Sequence, residues 1–223
     1  MNGDRLLELR LVLKAWLTRV AIAAALTIAA TTLPKAALPT PDQLPQERDR
    51  LAGQLLIAAP WMGDPRFVHA VILVLRHDSN GALGLVINHP LGEEPLARLL
   101  EILGQKDAGD KDKASVRIFV GGPVQPDAGF VIHSTEYHRA RTLDVDHNVA
   151  VTSGSDLIEI LHDIGDNKGP QKSIVAFGYA GWGPGQLDHE LSNNVWTTTP
   201  EDPALVFDED RAKLWELAQA RRT

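Results

Sequence analysis

From Leu51 onward the chain alternates short apolar runs with turn signals. Leu55–Ala59, Ala70–Leu75 and Leu83–Ile87 are rich in Val, Ile and Leu and too short for typical helices, so they predict buried strands. Asp78-Ser79-Asn80-Gly81 separates the second run from the third. It predicts a hairpin turn, because Asn-Gly tolerates positive φ. Pro95–Leu103 places Leu96, Leu99, Leu100 and Leu103 on one face, the pattern of a short helix opened by proline. The charged stretch Gln105–Ser115 reads as a loop. Strands are expected again at Val116–Val120, Phe130–His133, Val149–Thr152 and Lys172–Tyr179. Between the last two, Leu157, Ile158, Leu161 and Ile164 share a helical face that Ser153 or Ser155 could cap and Gly165 could end. Gly185–Asn194 predicts a helix with Leu187 and Leu191 inward, Val195–Thr198 an extended segment, and Asp210–Arg221 a closing helix. There is no internal repeat. Neighbouring strands joined by tight turns point to one α+β domain with a largely antiparallel sheet and flanking helices, rather than a doubly wound parallel sheet.

The first fifty residues follow a different pattern. Val20–Leu33 is an uncharged run of Ala- and Thr-rich sequence preceded by Arg5, Arg10, Lys14 and Arg19. A basic segment before such a run suits an export signal, yet the run is short of the roughly 20 residues that cross a bilayer. Leu6, Leu9, Leu13 and Trp16 also recur at helical spacing, which suits an amphipathic surface helix. Residues 1–33 therefore read as a leader helix that anchors, a cleaved signal, or a dispensable extension. Membrane contact would run through residues 6–33. Pro34, Pro39, Pro41 and Pro45 make residues 34–50 a proline-rich linker, and residues 51–223 form the domain.

Composition sharpens this division. The chain is 44% apolar and 23% charged, within the globular range. It has no cysteine, which excludes a disulfide scaffold, a thiolate metal site and a cysteine nucleophile. Net charge is −7 overall; residues 1–45 carry five basic and three acidic side chains, which leaves −9 on residues 46–223. That sign opposes a duplex, and no helix-turn-helix pair or basic arm offsets it, so direct nucleic-acid binding is not expected.

Candidate chemistry concentrates in three places. Asn80-Gly81 through Gly84 to Asn88 contains G-x-x-G beside a strand but lacks the lysine and serine of a phosphate loop and the third glycine of a dinucleotide fingerprint. Hairpin geometry explains it more simply. Gly121-Gly122-Pro123 ends a strand and reads as a sharp bend. Gly178-Tyr179-Ala180-Gly181-Trp182-Gly183-Pro184-Gly185-Gln186 is the richest segment, a strand, a glycine-rich loop and a helix start. Its free N–H groups could hold an anion, with Tyr179 and Trp182 as flat surfaces. The plainer reading is preferred: the glycines allow close packing and Trp182 fills the core. Asp188-His189-Glu190 flanks the inward Leu187 and Leu191 and so should face solvent. His133, His138, Asp144, Asp146 and His147 lack the helical H-x-x-x-H spacing of a zinc site, so no metal is expected.

Several of these segments together resemble the YqgE/AlgH family of bacterial proteins. The matching pieces are Leu55-Leu56-Ile57-Ala58-Ala59-Pro60, Asp64-Pro65-Arg66-Phe67, Asn80–Pro90, Gly121-Gly122-Pro123 and Gly129-Phe130-Val131-Ile132-His133. Gly178-Tyr179-Ala180-Gly181-Trp182 is the strongest, continued by Gly185-Gln186-Leu187, Glu190 and Asn194-Val195-Trp196. The resemblance implies a strongly bent, pseudo-barrel-like sheet in a cytosolic protein, with a regulatory label and no assigned reaction. Leu75 stands where some relatives have cysteine, and His89 replaces a basic residue common before the motif proline. The sequence thus favours a non-enzymatic binding or regulatory protein with an unknown protein or small-molecule partner, no cofactor, and no assigned catalytic residue. Its binding residues would be Asn80, Gly81, Gly84, Asn88, Gly121, Gly122, His133, Tyr179, Gly181, Trp182, Gln186 and Glu190. The alternative is a small-molecule enzyme with His133, Asp188 or Glu190 as acid–base groups.

Overall fold

The computed structural model describes residues 51–105, 114–207 and 210–221. All described residues belong to one compact unit. The leader, the linker and most of the charged 105–115 stretch lie outside the described residues.

Ten strands build one sheet: β1 (Gln54–Ala58), β2 (Val71–Asp78), β3 (Gly81–Val86), β4 (Pro90–Pro95), β5 (Ser115–Val120), β6 (Val124–Ser134), β7 (Thr142–Asp144), β8 (Val149–Ser153), β9 (Ser173–Trp182) and β10 (Trp196–Pro200). Their order is β10-β1-β2-β3-β9-β6-β8-β7, with β5 and β4 branching from β9. All pairings are antiparallel except β5 with β9. The expected antiparallel α+β sheet is present, and it is strongly curled.

The curl has a local cause. β9 pairs with β5 and β6 through Ser173–Phe177, then with β3 through Ala180–Trp182. Gly178 lies between these halves with φ +75°, a left-handed bend that other residues rarely adopt. β6 yields at the same level, where its register shifts between Val124 and Gly129. Because the sheet folds round, strands such as Val71–Leu75 bury both faces, which explains their unbroken apolar sequence.

Among the described residues, five helices flank the sheet: α1 (Leu96–Ile102), α2 (Leu157–Gly165), α3 (Gln186–Ser192), α4 (Pro203–Phe207) and α5 (Leu214–Gln219). One core sets Leu96, Leu99 and Leu100 of α1 and Ile160 and Leu161 of α2 against Ile118, Val131 and Val175. The other gathers Leu56, Ile72, Val74, Val86, Trp182, Leu187 and Trp196. Among the described residues no helix is long and apolar enough to cross a membrane.

Four expectations change. The strand expected to end at Tyr179 runs on through Ala180–Trp182, because this second half of β9 pairs with β3; only Gly183–Gly185 turns. Neither Ser153 nor Ser155 caps α2: Ser155 Oγ donates instead to Asp156, and a 3-10 turn, Gly154–Asp156, leads in. Pro90–Pro95 is a strand that the polar, proline-bounded sequence conceals; such prolines suit a strand paired on one side only. Pro203–Phe207 is an unforeseen helix.

Candidate functional site

The β2–β3 turn is a two-residue loop, since Asp78 pairs with Gly81. The Asn80 N–H donates to Asp78 Oδ1 at 2.7 Å, and the positive φ falls on Gly81, at +124°. A Cβ on Gly81 would stand 2.1 Å from the Trp182 carbonyl oxygen, so glycine lets this turn dock on the end of β9. Ser79 and Asn80 remain exposed.

The β9–α3 turn is held from inside. Glu190 Oε2 accepts the indole N–H groups of Trp182 at 2.9 Å and Trp196 at 2.7 Å. Its Oε1 accepts from Gln186 Nε2 at 2.8 Å, and Gln186 Oε1 accepts the Gly183 N–H at 3.1 Å. The two indoles meet edge to face with centroids 6.0 Å apart. Both rings are buried, so neither offers a flat ligand platform. Glu190 is half-buried and inward, not solvent-facing; Asp188 and His189 are exposed as expected. Asp188 Oδ2 lies 3.2 Å from Nε2 of the buried His77, a contact between α3 and the strand that leads into the β2–β3 turn.

Asn80, Gly81, Trp182, Gln186 and Glu190 therefore converge where two turns meet, and Gly181 pairs with Leu83 beside them. The remaining predicted residues serve the backbone. Gly84 sits where a Cβ would be 2.6 Å from Ile72 Cγ2. Gly121 and Gly122 pack on Gly178 and Tyr179, leaving 2.3 and 2.1 Å for a Cβ to the nearest atom. Asn88 Oδ1 accepts the Val71 N–H and its Nδ2 donates to the His69 carbonyl, both at 2.8 Å. Tyr179 is buried edge-on to Phe130, and burial pushes its phenol up. His133 is fully buried, bonded to Ser134 and Thr152, and shares no hydrogen-bond partner with Asp188 or Glu190.

A second grouping gathers four of the five residues that the sequence set together only as a rejected zinc site, and leaves His133 out. Thr135, His138, Asp144, Val145, Asp146 and His147 line an open cleft of about 500 Å³. There His138 Nε2 is 2.7 Å from Asp144 Oδ1. Among the described residues no three His, Asp or Glu side chains gather closely enough to hold a metal ion. Beside it, Tyr137 donates to Asp163 at 2.6 Å, and Arg139 reaches Tyr137, Glu159 and Asp163. The clustering of ionisable residues over 133–147 is the only signal that could have found this cleft, since β7 and β8 bring its sides together through pairing.

The model of the AlgH-like family matches residues 55–222. The chain belongs to the AlgH-like family. A UPF0301 protein of Methylococcus capsulatus is 38% identical over 178 residues, covering 80% of this chain and 94% of the relative. One of Rhodospirillum rubrum is 42% identical over 168 residues, 75% of this chain and 85% of the relative. Among solved structures, the solution structure of the AlgH protein from Pseudomonas aeruginosa, also UPF0301, matches with TM-score 0.65 at 38% identity, covering 80% of this chain and 92% of that one. The AlgH-like match covers all twelve predicted site residues, which lie between residues 80 and 190.

Proposed function

We propose that this AlgH-like chain is a cytosolic binding or regulatory protein that acts through a protein or small-ligand partner rather than by contacting DNA. Its contact surface is the rim where the β2–β3 turn, Ser79–Asn80, meets the β9–α3 turn, Gly183–Gln186. The observation that carries this reading is the Glu190 lock. The side chains with chemistry are engaged internally, Trp182, Trp196 and Gln186 on Glu190, while the rim residues Ser79, Asn80, Pro184, Gly185 and Gln186 stay exposed on a fixed scaffold. A surface fixed before contact suits recognition, because little ordering entropy is lost on binding. The −9 carried by residues 46–223 supports a partner other than a phosphate backbone.

The test is recovery of partners or ligands with protein expressed from its native locus, comparing wild type with Asn80→Arg/Pro184→Arg. Both positions are exposed, so the fold should survive, with circular dichroism and melting as the check. The double variant should lose a partner or ligand that Leu217→Arg, an exposed control, retains. Unchanged recovery overturns the rim. A membrane tether through residues 6–33 belongs to the same proposal, and exclusive recovery in the soluble fraction would remove it.

A further inference from the structure

His133 is fully buried, yet both its ring nitrogens belong to a hydrogen-bond chain that ends on an edge strand. Nδ1 lies 2.9 Å from the Ser134 carbonyl oxygen, and Nε2 lies 2.9 Å from Thr152 Oγ1. A carbonyl only accepts, so Nδ1 carries the hydrogen and Nε2 of the neutral ring is an acceptor. The Thr152 hydroxyl therefore donates to Nε2. Its oxygen is left to accept from the Thr142 hydroxyl, 2.7 Å away. Thr142 Oγ1 in turn accepts the Arg139 N–H at 2.9 Å. Both ends are groups that can act only one way, which sets every direction between them. The chain runs from β6 through β8 to β7.

We propose that this chain makes His133 an acid-sensitive lock on the sheet edge: protonation of the ring loosens β7 and widens the cleft that β7 helps to line.

A proton on Nε2 would place a donor against the Thr152 donor. Thr152 must then rotate, accept from the ring and donate to Thr142. The Thr142 oxygen already holds the Arg139 N–H, so its own hydrogen loses its acceptor. β7 has three residues, pairs with β8 and, among the described residues, has no strand on its other side; its two ends are also tied, by the Arg141 N–H on Asp156 and by His138 on Asp144. Its last residue, Asp144, lines the cleft with His138 and Val145–His147.

The charged and titratable groups around the ring come from several elements. Glu136, Tyr137 and His138 follow β6, and the Tyr137 ring stands edge-on at 5.7 Å. Asp144 faces it from β7, while β8 and β9 oppose it with the uncharged Ala150 and Ser173. Lys172, just before β9, contributes its carbonyl to the Ser134 N–H. On α2, Asp163 and Glu159 are engaged by Tyr137 and Arg139, and Asp156 before α2 accepts the Arg141 N–H. Burial is the largest influence and, with His138, outweighs the Ser134 carbonyl, Glu136 and Asp144, so the ring resists protonation and titrates below an ordinary histidine.

The experiment is amide hydrogen exchange on the full chain, corrected for intrinsic rates, from about pH 7.5 down to about pH 4.5, about two units below an ordinary histidine, because burial lowers this ring. Protection over residues 140–146 should fall several-fold in wild type, while β1 and β2 hold. His138→Gln should keep the effect, because protonating His138 would tighten its contact with Asp144. His133→Gln should abolish it. If His133→Gln does not fold, Thr142→Val decides, since it cuts the chain at the edge strand and leaves His133 in place. The lock is overturned if wild-type protection does not change with pH, or if Thr142→Val loses it as wild type does.

Discussion

Removing the Glu190 carboxylate should destabilise the domain through two tryptophans at once. Oε2 accepts one N–H from Trp182, 8% exposed, and one from Trp196, 2% exposed. Glu190→Ala leaves both donors without their acceptor. A buried donor left unpaired costs about 1–3 kcal/mol. Glu190 is half-buried, so water entering the vacated space can serve part of that need, and the sum is about 2–4 kcal/mol. In a domain of this size that lowers Tm by about 4–16 °C. Urea unfolding followed by tryptophan emission reads it directly, and native emission should shift as the indoles lose a charged partner. Trp196→Phe supplies the control, because it keeps most of the ring and removes the N–H. In wild type it leaves Glu190 short of one donor; in Glu190→Ala it removes a donor already orphaned and should cost at least about 1 kcal/mol less. Additive losses in this cycle, or a Glu190→Ala cost under about 0.5 kcal/mol, the scatter of ordinary surface changes, would refute the lock.

Gly122→Ala should fail to fold or lose more than about 4 kcal/mol, because its Cβ would stand 2.1 Å from the Tyr179 carbonyl carbon, whereas Gly185→Ala, with open space and φ +68°, should cost about 1 kcal/mol in the same unfolding assay. Stability should fall as pH drops below about 6.5, since burial holds His133 and His89 below their ordinary value and the unfolded chain takes up protons first; His133→Gln should flatten that slope in pH-dependent unfolding. A second loss is expected below about pH 4: burial opposes ionisation of Asp163, but bonds from Tyr137 and Arg139 hold its carboxyl low, so Asp163→Asn should weaken the acid step. Asn88→Leu should cost at least about 2 kcal/mol by orphaning the buried Val71 N–H and the His69 carbonyl, measured by thermal melting.

The strands were legible because their apolar runs are unbroken, and the β2–β3 turn because only Gly81 fits it. β4 was hidden, since Pro90, Gly92, Glu93, Glu94 and Pro95 follow no strand pattern and depend on β5 for pairing. The dense Gly178–Trp182 motif was legible in kind, as glycines in close packing with Trp182 in the core, but not in its partner. Whether its glycines line a ligand or face another backbone depends on Gly121 and Gly122, more than fifty residues earlier and brought beside it only by the fold. Glu190 was placed outside by helical periodicity, which registers Leu187 and Leu191 but cannot know that two indole N–H groups wait on the same side. Asp144 and His138 were visible as letters; their meeting required the β7–β8 pairing.

The position of β9 also governs when the domain can exist. This strand bonds to Ala82–Gly84, Ile118–Val120 and Gly129–His133, yet it is itself residues 173–182. On the ribosome, β3 emerges about 100 residues before the strand that completes it, an interval of about 5–20 s at bacterial elongation rates. Through that time β1–β3 carries apolar surface with both flanks unpaired, since β10 follows β9, and the two halves of the sheet have no strand in common. Closure is therefore a late, long-range event, and the nascent chain in that interval is the species most in need of a chaperone.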